Sequence, residues 1–242
     1  MRAPNSTPGS HQRKTGLRPM HYVFQFGVVQ DNWRLLLDGA IATLWMSTAA
    51  FALGLLIAIL CTLARNTRLR TPVRAYVEII RNTPLLVQLF IVYFSLPTLG
   101  IQLDADQAAI LGLALNFGAY ATEILRSGIE AIPRGQTEAA TALGLHPLRI
   151  FRHIILFPAL RVCYPGLASQ FILILLGSSV VSAISAEELT SIVNSLQSTT
   201  FRSFEFYFAA TAIYLAMAGL TRLLLDLGFW LTFTRNRPAA RA

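Results

Sequence analysis

Residues 39–64 read GAIATLWMSTAAFALGLLIAILCTLA, and no charged side chain lies between Asp38 and Arg65. An α-helix needs about 20 residues to cross the hydrocarbon core of a bilayer, so this segment is long enough to be a membrane span. The whole chain agrees. Its 242 residues are 54% hydrophobic and 13% charged, and the mean hydropathy of +0.54 is far above that of a soluble domain. The chain reads as an all-α integral membrane protein. Within the first span Ala50, Gly54 and Ala58 recur every fourth residue. That stripe is either a close helix contact or the chance scatter of small residues in an apolar helix.

On the N-terminal side, residues 1–22 are rich in Pro, Ser, Gly, Arg and His and are expected to form a disordered tail. Residues 23–37 mix aromatic and aliphatic side chains with Asp31 and Arg34, which suits a helix lying in the membrane interface or an ordinary loop.

On the C-terminal side, four more spans are expected at about 75–96, 107–129, 162–186 and 206–229. The formal charge of +8 comes almost wholly from arginine, Lys14 being the only lysine, and is read as topology rather than as a nucleic-acid surface. Arg65, Arg68, Arg70, Arg74 and Arg81 mark one internal loop, and Arg126, Arg134, Arg149, Arg152 and Arg161 mark a second. Residues 97–106, and the interval holding Glu187, Glu188 and Glu205, carry acids and are assigned outside. Five spans ending on Arg235, Arg237 and Arg241 place the C-terminus in the cytoplasm and the N-terminus outside, against the charge of Arg2, Arg13, Lys14 and Arg18.

Several polar residues fall within the spans. Pro84 removes a backbone donor and is expected to kink the second span; Glu78 and Arg81, three apart, are expected to pair. Glu123 in the third span is a functional candidate, with an ion pair to Arg126 as the structural alternative. Asn116 suits an interhelical hydrogen bond, and the span's small stripe is Ala114, Gly118 and Thr122. Arg222 and Asp226, four apart, are expected to pair. Cys61 and Cys163 lack metal-ligand spacing and read as inert thiols.

The one long polar interval that still reads as folded structure is residues 130–160. Thr137 is placed to cap a helix beginning at Glu138, Gly144 to end it in a left-handed residue, and Pro147 to open a second short helix over Leu148 to Leu156. Two short helices hinged at a glycine between spans make a docking surface for a soluble partner.

No catalytic set accompanies it. The phosphate-cradling motif needs glycine before its lysine, and Lys14 follows Arg13. His11, His21, His146 and His153 lie outside the spans, Gly177-Ser178-Ser179 lacks the trailing glycine of a nucleophile elbow, and no His-Glu-x-x-His occurs. Matching halves of a secondary transporter are absent too. A conduit, a receptor or an anchor remains, and the small number of spans suits a dimer.

Glu138-Ala139-Ala140, then Gly144, then Ile155 with Pro158, resembles the EAA signature of the inner-membrane permease subunits of bacterial ABC importers. The run from Tyr76 to Phe90, the pattern Ala119-Tyr120-x-x-Glu123-Ile124 with Gly128-Ile129, Ile132-Pro133-x-Gly135-Gln136, and Gly39 with Thr43 look like the polar amino-acid permeases among them. The resemblance covers about residues 24–232. It departs at Phe157-Pro158-Ala159, where Leu-Pro-Gln-Ala is usual, and at Gly177-Ser178-Ser179, where a lysine is common.

The resemblance implies a type I importer transmembrane domain over residues 38–232, multi-pass in the bacterial inner membrane and followed by a cytoplasmic tail. No cofactor is bound by this chain, since ATP and magnesium sit on the partner ATPase. Two ATPase subunits would dock on Thr137, Glu138, Ala139, Ala140, Gly144 and Pro147; a second permease, identical or homologous, and an external solute-binding protein complete the assembly. The cargo would be a polar amino acid or a derivative such as an opine. Glu78, Arg81, Pro84, Glu123 and Arg126 are candidates for structural or gating roles, and Asn116, Glu123, Ser178 and Ser179 for the translocation path. A scaffold that moves no solute, and a channel or carrier independent of ATP, are the rival readings.

Overall fold

The computed structural model describes residues 22–65 and 67–234, and among them the regular structure is entirely helical. The elements are a short turn α1 (Gly27–Asp31), then α2 (Trp33–Ala64), α3 (Arg70–Arg81), α4 (Leu85–Leu99), α5 (Ala105–Glu130), α6 (Arg134–Ala142), α7 (Pro147–Ile184), α8 (Leu189–Thr200) and α9 (Ser203–Phe233). The expected disordered tail, the basic C-terminus, His11 and His21 lie outside the described residues, Tyr22 apart. Helices α2, α5, α7 and α9 are each long and apolar enough to cross a membrane; α3 and α4 together make a fifth segment, bent by 115°.

The expected segment 23–37 is not one element. Only Gly27–Asp31 forms a separate turn, and from Trp33 onward the helix runs unbroken into the first span. Its apolar residues continue the span's own pattern, so nothing stops the helix at Asp38.

The small stripes of α2 and α5 face each other. Ala50, Ala58 and Ala114 are fully buried, and a Cβ added at Gly54 would lie 2.6 Å from the Phe117 ring and 2.7 Å from the Ala114 carbonyl oxygen. One added at Gly118 would meet Ile57 at 3.0 Å and the Gly54 carbonyl at 3.2 Å. Backbone therefore approaches backbone, and dispersion contacts replace the hydrophobic drive that lipid does not supply. Lower down, Cys163 donates to the Ile124 carbonyl at 3.3 Å beside Gly128, while Cys61 is half-buried.

The second span is broken rather than kinked. Pro84 adopts φ −65° and ψ 139°, an extended conformation that ends α3 and restarts the chain as α4 in a new direction. The break leaves carbonyls short of helical donors, and Gln88 supplies one: its Nε2 donates to Ile80 O at 2.7 Å and to Thr83 O at 3.0 Å. Asn116 of α5 in turn donates Nδ2 to Gln88 Oε1 at 2.9 Å, which is the interhelical bond expected of it. Gln88→Leu removes this bridge and leaves the Asn116 amide without its partner, at about 1–3 kcal/mol, while Ile80 O keeps only the longer bonds from Thr83. We expect a lower thermal midpoint in detergent than in Asn116→Leu, where Gln88 keeps its bonds to α3; equal midpoints would refute the bridge.

The acidic interval before α9 is a folded element, α8. Glu188 caps it by accepting from Ser191 N at 2.9 Å, and Leu189, Val193 and Leu196 bury one face. Glu188 is fully buried, accepting also from Tyr214 Oη at 2.6 Å, with Thr43 Oγ1 at 3.5 Å. Glu205, equally buried, accepts from Tyr22 Oη and from Gln25 N at 3.0 Å. Glu187 N donates to Asp106 Oδ1 at 3.0 Å, so the acids of separate intervals meet at one end of the bundle.

Candidate functional site

At the opposite end the two arginine-rich intervals converge. Arg65, Arg74, Arg81, Glu78, Glu123 and Arg126 line one cleft of about 250 Å³. Glu123 Oε2 accepts from Arg126 Nη2 at 2.8 Å and Glu123 Oε1 from Arg65 Nη1 at 3.0 Å, so the carboxylate joins α2 to α5. The Glu123–Arg126 pair thus forms with a third member from the preceding loop. Arg126 also pairs with Glu130. The expected Glu78–Arg81 pair does not form. Glu78 accepts instead from Arg74 Nε at 2.7 Å, one turn earlier, while the Arg81 guanidinium lies 5.4 Å from the Tyr120 ring centre. The bend at Pro84 carries Arg81 against α5, where an aromatic face attracts it. On α9 the Arg222–Asp226 pair forms at 3.0 Å.

The polar interval 130–160 leaves the same end. Helix α6 starts at Arg134, behind Pro133 in an extended conformation, so Thr137 and Glu138 lie in its second turn and Thr137 is not the cap. Proline's fixed φ starts the helix earlier than a side-chain cap would. Thr137 instead accepts at its carbonyl from Thr141 Oγ1 at 2.8 Å. The C-terminus follows expectation: Gly144 has φ +71°, its N–H donates to Thr141 O at 3.0 Å, and Leu145 N donates to Ala140 O at 3.2 Å. These two bonds form a Schellman turn.

Pro147 opens the next helix, with His146 Nδ1 accepting from Leu148 N at 3.3 Å. That helix is not a second short piece. It continues through a π turn over Ile150–Leu156 into the span Phe157–Gly177, so the loop is one short helix hinged to the end of a membrane helix. Phe157, at the departure from the usual motif, packs against Phe233 with ring centres 5.3 Å apart.

Glu138 and Ala139 are exposed, whereas Ala140 is buried at 3% and α6 rests on the π turn. Ala140 holds the loop to its own protein and Ala139 faces outward. Sequence reading missed the two most exposed apolar side chains of this tip, Leu143 (80%) and Leu148 (68%), on either side of Gly144. Their signal was a leucine before Gly144 and another after Pro147 in a polar interval.

Between these ends a cavity of about 220 Å³ opens where α4, α5 and α7 meet, lined by Leu85, Asn116, Tyr120, Gln170 and Gly177 among others. Of the expected path residues only Asn116 reaches it. Glu123 belongs to the arginine cleft. Ser178 is fully buried and donates to Leu175 O at 2.8 Å, and Ser179 donates to Leu176 O at 2.9 Å, so both hydroxyls are engaged by their own helix. Tyr120 and Gln170 were not recognised, although Gln170 is a polar residue in an otherwise apolar run.

An all-helical membrane bundle with a broken second span and a glycine-hinged loop at its basic end defines a transporter membrane subunit. Residues 50–227 match the binding-protein-dependent transport system inner membrane component family, and the chain belongs to that family. It is therefore a multi-pass membrane component of an ABC transporter, a class that works with ATPase subunits and a binding protein. The chain is 39% identical over 167 residues to the L-cystine transport system permease protein of Bacillus subtilis (strain 168), covering 67% of this chain and 70% of that one. It is 36% identical over 223 residues to the octopine transport system permease protein of Rhizobium meliloti, covering 87% and 91%. A solved amino acid ABC transporter with histidines superposes with a TM-score of 0.80 at 34% identity, over 86% of this chain and 99% of that one.

Proposed function

We propose that this chain forms the membrane path of a type I importer of the bacterial inner membrane, carrying a polar amino acid or an amino-acid derivative, with ATP hydrolysed on two separate subunits docked at α6. The observation that carries the reading is the short join between loop and span: the Schellman turn at Gly144 leads within three residues to Pro147, from which α7 runs on as one helix into the span. A push on the exposed Glu138, Ala139, Leu143 and Leu148 is then passed to a helix that borders the Asn116–Tyr120–Gln170 cavity. That cavity offers amide and phenol groups with no full charge, which suits a zwitterion held briefly and released. The L-cystine and octopine systems of the relatives support an amino-acid cargo. The basic end would face the cytoplasm and the buried-acid end the binding protein. A second permease, identical or homologous, completes the path.

Reconstitution tests this directly. Vesicles holding this permease with its ATPase, supplied with a binding protein and a panel of labelled amino acids and opines, should accumulate one or a few of them only when ATP and magnesium reach the ATPase. Flux without ATP would favour a channel, and no flux with any of the panel would overturn the amino-acid assignment.

A further inference from the structure

Two openings near the basic end of the bundle run into one another. One is an apolar groove of about 260 Å³ among α2, α5 and α7, with Leu63, Leu125, Phe151 and Leu160 in its wall. The other, of about 400 Å³, has Arg65, Arg70, Arg126 and Glu130 around it. Thr62 and Ile129 border both, so the dry groove opens into the arginine pocket. The groove's rim is open to the surroundings, since Leu63 is 65% and Leu160 39% exposed.

The pocket is net positive. Arg65 and Arg126 share Glu123, Arg126 also holds Glu130, and Arg70 makes no ion pair among the described residues. An apolar slot ending in a cationic pocket matches a molecule with an apolar tail and an anionic head, and neither half alone explains the other. A neutral lipid would fill the groove and gain nothing from the guanidiniums, whereas a free anion would bind them without needing the groove. Basic pockets between membrane helices at the cytoplasmic surface are suited to anionic headgroups in this way.

The geometry points to a binding site for an anionic phospholipid, with one acyl chain between α2, α5 and α7 and the phosphate among Arg65, Arg70 and Arg126. Phe151 lies in the π turn that follows the α6 loop, so the lipid touches the element to which that loop is joined.

The test needs no transport and stands or falls separately from the cargo. Full-length chain in detergent is mixed with dioleoyl phosphatidylglycerol or dioleoyl phosphatidylcholine, and the lipid retained is read by native mass spectrometry. The site predicts one tightly held phosphatidylglycerol per chain and at least tenfold weaker retention of phosphatidylcholine. Arg70→Gln, which leaves the Glu123 pairs intact, should weaken phosphatidylglycerol about fivefold, the share of one basic residue near an anionic lipid. Leu160→Trp, which fills the groove from its exposed rim, should weaken it at least as much. Equal retention of the two lipids overturns the proposal, as does an unchanged Arg70→Gln. Loss in Arg70→Gln with full retention in Leu160→Trp would mean that the arginines bind a phosphate without the slot, and absence of lipid from a chain found dimeric would mean that a second copy covers it; both overturn it.

Discussion

Gly144→Val should weaken coupling by about tenfold or more while leaving the membrane bundle folded. Gly144 sits at φ +71°, where an L side chain costs about 1–2 kcal/mol and a β-branched one sits worst. Because 1.4 kcal/mol is one decade, the turn should leave its native conformation by roughly tenfold, and the Thr141 and Ala140 carbonyls should lose the donors that Gly144 and Leu145 supply. Nothing lies within 4 Å of a Cβ at this position, so the effect is conformational and not a clash. We expect ATP-driven uptake and stimulation of the partner ATPase to fall by about tenfold or more, with an unchanged thermal midpoint for the spans. Gly144→Asn, whose side chain tolerates the left-handed region, should keep most of the activity. Wild-type uptake in Gly144→Val would show that the hinge carries no force.

The second large effect is on the fold. Gly54→Leu would place a Cβ 2.7 Å from the Ala114 carbonyl oxygen, a backbone atom that cannot move unless α2 and α5 separate. Overpacking of this kind costs about 1–3 kcal/mol, and the helix pair that loses contact is the centre of the bundle. A fall of about 5–10 °C in the thermal midpoint of the detergent-solubilised chain is expected. Gly219 in α9 is the control, because it is exposed and nothing stands within 4 Å of its Cβ position. Gly219→Leu should be neutral or slightly stabilising, since glycine is a poor helix former. Equal midpoints for the two variants would remove the small-residue contact as an organising feature.

The candidate site was partly legible and partly not, and the division follows distance along the chain. Asn116 was expected to bridge helices and does, because a lone amide in an apolar span has few other partners. Glu78 was given the wrong arginine: residues 74 and 81 are both within one turn of it, and only the bend at Pro84 decides that Arg81 leaves for Tyr120. Thr137 was read as a cap because its side chain suits the role, yet Pro133 had already started the helix. The interval of Glu187, Glu188 and Glu205 is assigned no structure from its acids alone, although Leu189, Val193 and Leu196 carry a helical spacing.

What the sequence determined by itself were the features set by neighbours in the chain. An uncharged run longer than the hydrocarbon is a span, and a glycine after a polar helix takes positive φ; α2 and Gly144 follow from these, whereas the small stripe of α2 found its partner α5 only in the structure. What only the tertiary structure decided were the burial of Glu188 and Glu205, the 115° turn between α3 and α4, and the meeting of Asn116, Tyr120 and Gln170 around one cavity. Each of these depends on groups far apart in sequence, as with Thr43 reaching Glu188 across 145 residues. A carboxylate that looks solvent-facing from its neighbours becomes buried only when hydroxyl and amide donors from other helices replace water around it.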